Sequence, residues 1–298
     1  MIASTLALAE HGREHGYAVP AVNVLDDISL RAVVAAAVEA AAPLIIQISV
    51  KTVKQLGVEL TTTTFRLAAQ DAPIPVALHL DHCPDRAVID DVVAARWSSV
   101  LFDASNRDFD QAERETAEVV AQAHRSGVDV ESEIENIIGV EDGVGSDVAL
   151  HAYTVVQLAE VAARTGVDLL APQLGTAHGQ YKARPVLMPE RVRELTRLTQ
   201  IPIVLHGGTG LTQEEFRSFI DAGVSKINIS TAVKQAYMKA AAEHLDMARV
   251  KDKWDPPSMF RDIQAAVKQA IATHIEWFGA TGQAESAMVA AHHHGMDR

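Results

Sequence analysis

The chain has 298 residues, with 26 Lys+Arg against 39 Asp+Glu and a formal net charge of −13. This acidic balance argues against nonspecific nucleic-acid binding, which depends on neutralising phosphates with Lys and Arg. An anionic metabolite is not excluded, because it feels the field of one site and not the total charge. The single cysteine, Cys83, rules out an intrachain disulfide framework, and no run approaches the ~18 uninterrupted apolar residues of a membrane span. The opening MIASTLALAEHGREHG meets charge and two histidines before any long apolar run, so no signal peptide is read there. The expectation is a soluble, cytoplasmic protein with no membrane association.

In chain order the strand candidates are AVPAVNV (18–24), LIIQIS (44–49), VALHL (76–80), SVLFD (99–103), VDVESE (128–133), LLAPQL (169–174), IPIVLH (201–206) and KINIS (226–230). Short runs rich in Val, Ile and Leu suit parallel strands buried on both faces. Between them, apolar residues recurring at three and four predict helices over 29–41, 86–96, 109–125, 154–164, 189–199 and 212–223. Thr212 with Glu215 three residues on reads as a capping box, and Gly127, Gly166 and Gly223 stand at helix stop positions. Eight strand–helix units without a Pro/Gly/Ser-rich linker predict one α/β domain over residues 1–298, a closed (β/α)8 TIM barrel. An open doubly wound sheet is weakened by the absence of a GxGxxG turn after the first strand. Two segments exceed a minimal barrel. Residues 134–150 read as a long glycine-containing loop, and residues 248–298 as a C-terminal helical extension and tail whose HHHG stretch is solvated and binds no metal.

Chemistry in such barrels sits where the C-terminal ends of the strands converge. Asp81 and His82 follow the third strand, Asp103 ends the fourth, and Glu131 and Glu133 close the fifth. GTAHGQYK with His178 follows the sixth, His206 ends the seventh ahead of Gly207-Gly208-Thr209-Gly210, and the eighth carries Asn228, Ser230 and Thr231. Taken singly, a histidine at such a place is usually structural and an aspartate usually a helix N-cap. Together they are hard to obtain by chance. Three neutral imidazoles with an open fourth position match a catalytic zinc site, where zinc acts as a Lewis acid on a carbonyl. Asp81, directly before a ligand, is placed for general acid–base work. HGGTG opens a helix at Thr212 with KINIST next to it, which predicts an anion site on backbone N–H groups, at the loops where barrels commonly bind phosphate.

LHLDHC, GTAHGQYK, VLHGGTGL and KINISTAVK resemble the class II, zinc-dependent fructose/tagatose-bisphosphate aldolases, in order from about residue 1 to residue 275. The resemblance implies a lyase that reversibly cleaves a ketose 1-phosphate or ketose 1,6-bisphosphate to dihydroxyacetone phosphate and an aldehyde. It puts one catalytic Zn2+ per chain on His82, His178 and His206, and makes Asp81 the group exchanging a proton with the C4 hydroxyl. Asp103 and Glu133 match carboxylates lining an inner or second metal position. Gly179, Gly207, Gly208, Thr209, Asn228, Ser230 and Thr231 match positions holding dihydroxyacetone phosphate. Lys182 falls in a segment that in many members contributes to a monovalent-cation site, so the implied cofactors are zinc and a second divalent or monovalent cation. The implied partners are a small sugar phosphate and further copies of the chain, as a homodimer or homotetramer.

The sequence departs from that family in its substrate-tail code. Glu135 stands where a glycine is frequent, and the usual GGEED reads GVEDG. The family's DPR near the C-terminus grips the distal phosphate through its arginine; here WDPPSMFRD puts Pro257 at that position, and proline cannot bind phosphate bidentately. DASNRDF carries Asn106 and Arg107 where bisphosphate aldolases tend to read His-Leu. Lys51, Arg107, Arg184 and Arg261 are the candidate replacements, with Lys51 and Arg184 read as unpaired cations on the active face. Two rival readings follow. One keeps the chemistry on a ketose phosphate whose tail is a hydroxyl, carboxylate or sulfonate. The other is a barrel that binds sugar phosphates without turning them over.

Overall fold

The computed structural model describes residues 1–296 apart from 147, 149, 180, 182 and 183. The chain begins with a helix, α1 (Thr5–His15), followed by β1 (Val19–Asn23), α2 (Asp27–Glu39) and β2 (Leu44–Ser49). Two helices, α3 (Val50–Leu56) and α4 (Val58–Gln70), lead to β3 (Val76–Cys83); α5 (Arg86–Ala94), β4 (Ser99–Asp103), α6 (Phe109–His124) and β5 (Asp129–Glu133) come next. A short pair, β6 (Gly139–Glu141) and β7 (Val144–Ser146), precedes α7 (Val155–Thr165), β8 (Leu169–Leu170), α8 (Pro189–Leu198), β9 (Ile203–Leu205), α9 (Gln213–Ala222) and β10 (Val224–Ile229). Three helices finish the described chain: α10 (Thr231–Lys251), α11 (Pro256–Trp277) and α12 (Ala284–Met296).

Eight of these strands close into one parallel barrel in the order β1-β2-β3-β4-β5-β8-β9-β10, with β10 returning to β1. Their side chains are buried on both faces, which is why the strands read as continuous apolar runs and not as alternation. The expected (β/α)8 TIM barrel with extra C-terminal helices is therefore the fold. α1 closes the N-terminal end: the Ser4 hydroxyl and the Leu6 N–H donate to Asp129 Oδ2, at 2.7 and 2.9 Å. Ala9 packs there with Leu169, Ala171 and Val204. With that end plugged, only the opposite end can admit a ligand.

Two expectations are corrected. Residues 134–150 are not a plain loop, because β6 and β7 pair antiparallel as a hairpin. Its turn is Asp142-Gly143, with φ of 52° and 88°, the two positive values that a type I′ hairpin turn requires. The HHHG stretch is helical, with His292 and His293 exposed, as a solvated stretch should be. It lies at the end of α12, which packs against α1. Finally, residue 248 is no boundary, since α10 runs unbroken to Lys251.

α11 buries Ile263, Val267, Ile271 and Ile275, one stripe at a spacing of four, and packs on α2 and α10. Its start explains the sequence WDPPS. Asp255 is the N-cap, its side chain accepting from Ser258 N–H, and the prolines fill the first turn, where a missing N–H leaves no helix bond unmade. Among the described residues, no helix is long and apolar enough to cross a membrane.

Candidate active site

At the open end of the barrel His82, Glu133, His178 and His206, all buried, bring one ligand atom each to within 4.8 Å of one another. Asp81 and His82 are consecutive, and in a regular strand they would face opposite ways. Here the β3–β4 register shifts between Leu80 and Cys83, and His82 adopts φ 44°. This left-handed conformation is uncommon for a non-glycine residue. The irregularity turns both side chains toward the opening, a use of local strain typical of functional positions. His178 is held by its own N–H, which donates to Ile138 O at 2.8 Å. Gly139 makes room for that contact: with φ 108°, a Cβ there would lie 2.7 Å from His178 O.

His206 Nδ1 is 3.0 Å from His82 Nε2 and 3.5 Å from Glu133 Oε2. Ligands ~2.0–2.1 Å from one tetrahedral zinc ion sit about 3.4 Å apart, so this spacing fits such an ion. The donor chemistry fits as well, since Glu133 Oε2 is buried and has no hydrogen-bond partner among the described atoms. Burial, reinforced by His82, brings His206 down to about 4 despite its bond to Glu131, so its ring is neutral. Burial also raises Glu133 well above the usual carboxylate range, offset only in part by His82. For His82 burial acts downward, but Asp81, Glu133 and Asp103 outweigh it and raise the ring. Asp103 stands outside the four-residue group. Its Oδ2 lies 3.4 Å from His82 Nδ1, and its Oδ1 accepts from the Ser105 hydroxyl at 2.6 Å.

Asp81 is held from the neighbouring strands. Asn23 Nδ2 donates to Asp81 Oδ2 at 2.8 Å, Gln47 Nε2 donates to Asn23 Oδ1 at 2.9 Å, and Asn228 Nδ2 is 3.4 Å from Asp81 Oδ1. Asp81 Oδ1 is 3.9 Å from His82 Nε2, which sets the carboxylate beside the histidine group. Sequence reasoning missed Asn23 and Gln47. Both lie in the barrel wall facing Asp81, with Asn23 paired to Gln47 in the ladder, and a polar side chain inside an otherwise apolar parallel strand was the available signal.

A small pocket at the histidines is lined by His82, His178, Gly179, Gly207, Gly208, Thr209, Asn228, Ser230 and Thr231. The HGGTG and KINIST segments thus line one pocket, but the helices that follow them differ. α9 is fully capped by its own Thr212 and Glu215 in the expected capping box. At α10 the N-cap Ser230 makes no capping bond, and its hydroxyl is buried without a partner among the described atoms. The free helix N-terminus facing the cavity is therefore that of α10, with the positive end of its dipole.

The tail candidates separate. Arg107 is committed inside the molecule: its Nε pairs with Glu115 at 2.5 Å, its amino groups donate to Asp103 O and Pro84 O, and it stacks on Phe102. Arg184, expected to be unpaired, reaches Glu215 Oε1 at 3.0 Å while remaining exposed, because the capping carboxylate of α9 lies beside it. Arg261 donates to Ser258 Oγ on α11. Lys51, exposed in the first turn of α3, has no ion pair or hydrogen bond among the described residues. Lys182 lies outside the described residues. Glu135, the departure from glycine, is fully buried and accepts from Tyr153 N–H, Gln173 N–H and Arg191. It pins the segments after β5 and β8 together.

Comparison with known proteins agrees with this geometry. The family model described as fructose-bisphosphate aldolase class-II matches residues 3–283. The fructose-bisphosphate aldolase of Geobacillus stearothermophilus is 34% identical over 271 residues, covering 90% of this chain and 93% of the relative. That of Staphylococcus aureus strain Mu50 is 33% identical over 286 residues, covering 92% and 96%. Among solved structures, the YdjI aldolase of Escherichia coli K12 superposes with a TM-score of 0.83 at 30% identity, over 95% of this chain and 100% of that one. The chain belongs to the class-II fructose-bisphosphate aldolase family, a family of lyases.

Proposed function

We propose that this protein is a zinc-dependent aldolase that reversibly cleaves a ketose 1-phosphate or ketose 1,6-bisphosphate to dihydroxyacetone phosphate and an aldehyde. The observation that carries the reading is the meeting, at the one open end of the barrel, of a four-residue metal-type group, a fixed Asp81 and an anion cavity. Zinc held by His82, His178 and His206 supplies a Lewis acid for the substrate's C2 carbonyl. Asp81 takes the C4 hydroxyl proton as the C3–C4 bond breaks, and returns it in condensation. Asn23 and Asn228 orient its two oxygens, so it meets the substrate in one pose. The C1 phosphate sits among Gly179, Gly207, Gly208, Thr209, Ser230 and Thr231, with Asn228 between phosphate and carboxylate. Glu133 belongs to the metal group and Asp103 flanks it, and the segment that carries Lys182 contributes to a monovalent-cation site. The working form is a cytoplasmic homodimer or homotetramer.

A second reading, in which the distal group is a hydroxyl, carboxylate or sulfonate, is favoured by Pro257 in the first turn of α11 and by Arg107 being spent on Glu115. Lys51 and Arg184 are then the cations nearest to that role. A barrel that only binds sugar phosphates would have no use for Asp81 held by two asparagines. The test is a cleavage assay on substrates differing only at C6, monitored for dihydroxyacetone phosphate, with and without chelator. The expectation is metal-dependent turnover with no large advantage for the C6 phosphate. Efficient bisphosphate cleavage, lost at least a hundredfold without that phosphate, would establish a rebuilt phosphate clamp. No turnover of any member would overturn the enzyme reading.

A further inference from the structure

Below the histidine group lies a second set of charges that the cleavage chemistry does not use. Lys226, on β10, is fully buried; its Nζ donates to Glu131 Oε2 at 2.7 Å and to Asn228 Oδ1 at 2.8 Å. The other oxygen of the same carboxylate, Glu131 Oε1, is 2.8 Å from His206 Nε2. Across that ring, Nδ1 is the atom that faces His82 and Glu133. A neutral imidazole has one N–H and one lone pair, and only the lone pair can bind a metal. Which nitrogen carries the proton therefore decides whether His206 is a ligand at all.

Two groups compete for Nε2. Asn228 Nδ2 is 3.0 Å away and could donate to it, which would force the proton onto Nδ1. The Glu131 carboxylate at 2.8 Å can only accept. A charge-assisted bond is roughly twice as strong as a neutral one, and an Nε2 lone pair aimed at an anion would be repelled. The Asn228 amide is itself oriented by Lys226 on its oxygen and has Asp81 as an alternative acceptor. Without the Lys226 ammonium, Glu131 Oε2 would keep, among the described residues, only His79 Nε2, at 3.7 Å.

We propose that Lys226 is a positioning residue: acting through Glu131, it fixes the His206 proton on Nε2 and presents Nδ1 to the metal group. The inference rests on the reading of His206 as a zinc ligand. Groups in this outer position commonly change metal affinity ten- to hundredfold.

The test uses the full, zinc-loaded chain labelled with [15N]histidine. In the wild type, His206 shows a metal-bound Nδ1 and a protonated, exchange-protected Nε2. Zinc affinity, measured by chelator competition, falls ten- to hundredfold in Lys226→Met and equally in the double variant Glu131→Leu/Lys226→Met. The double variant removes both charges and is expected to fold, because a buried ion pair replaced by apolar groups is often neutral for stability. If the wild type binds no zinc, the site reading itself fails. If it binds zinc through Nε2, or if the folded double variant keeps wild-type affinity, this inference alone is overturned and the pair only fills the barrel. If the variants do not fold, zinc bound through Nε2 in the wild type still overturns the inference.

Discussion

Gly207→Ala tests whether the phosphate loop and the His178 loop are one rigid unit. Gly207 follows His206 directly and has φ +68°, and a Cβ there would stand 2.5 Å from Ala177 O and 2.7 Å from Ala177 C. An alanine in the left-handed region costs about 1–2 kcal/mol, and overpacking against immobile atoms adds typically 1–3 kcal/mol. The expected loss is therefore about 2–5 kcal/mol, a fall in Tm of roughly 5–15 °C for a chain of this size. Separation to the 3.0 Å minimum for a real Cβ contact requires the Ala177 carbonyl to retreat by 0.5 Å, and Ala177 is the residue before His178. Misplacement on the ångström scale can cost about a hundredfold in rate, so retro-aldol turnover should fall by roughly that factor. Gly179→Ala is the comparison. Its φ is +80°, but a Cβ there meets no atom within 4 Å, so only the ~1–2 kcal/mol conformational cost applies. Thermal melts of both variants and a coupled cleavage assay on Gly207→Ala decide the point. A Gly207→Ala protein that melts with Gly179→Ala and keeps wild-type turnover would show that the two loops are not packed as described.

Asp81→Ala should retain zinc and fold but lose cleavage by about a hundred- to ten-thousandfold, while proton exchange on dihydroxyacetone phosphate survives better; near-normal cleavage would remove Asp81 from the proton-transfer role. His206→Ala should lose both metal and activity, because a catalytic zinc ion is held by three protein ligands and only two of the three assigned here would remain; unchanged zinc on metal analysis would take His206 out of the ligand set. If Lys51 or Arg184 reads a carboxylate or sulfonate tail, its change to alanine should raise KM for that substrate roughly ten- to hundredfold, the worth of one charged hydrogen bond, with exchange on dihydroxyacetone phosphate untouched. Equal KM in both variants across the C6 panel would assign the tail to other residues.

The barrel was legible in the sequence because its signals are local. LIIQIS and SVLFD coincide with the observed Leu44–Ser49 and Ser99–Asp103, since a buried parallel strand needs little more than a β-branched apolar run. LLAPQL shrank to Leu169–Leu170: Pro172 has no N–H for the ladder. The hairpin at 139–146 was overlooked although Asp142-Gly143 is its turn signal, because its strands are only three residues each. α1 went unread because its role is to plug a barrel end that exists only once the strands have closed. The motif histidines and Asp81 were visible for the same local reason, being adjacent to strand ends and glycine turns.

Partnership is what the sequence left undetermined. Whether Asp81 and His82 share a face depended on a register shift between β3 and β4. Whether Arg107 and Arg184 are free cations depended on Glu115 and Glu215 lying beside them. Glu131 reads in the sequence as a strand-end acid, and Lys226 only as the first residue of KINIST. That they meet, 95 residues apart in sequence and fully buried, follows only from barrel closure, which brings β5 and β10 to one interior. A backbone pattern can be read from neighbours along the chain, whereas a buried charge is defined by the opposite charge that the fold sets across from it.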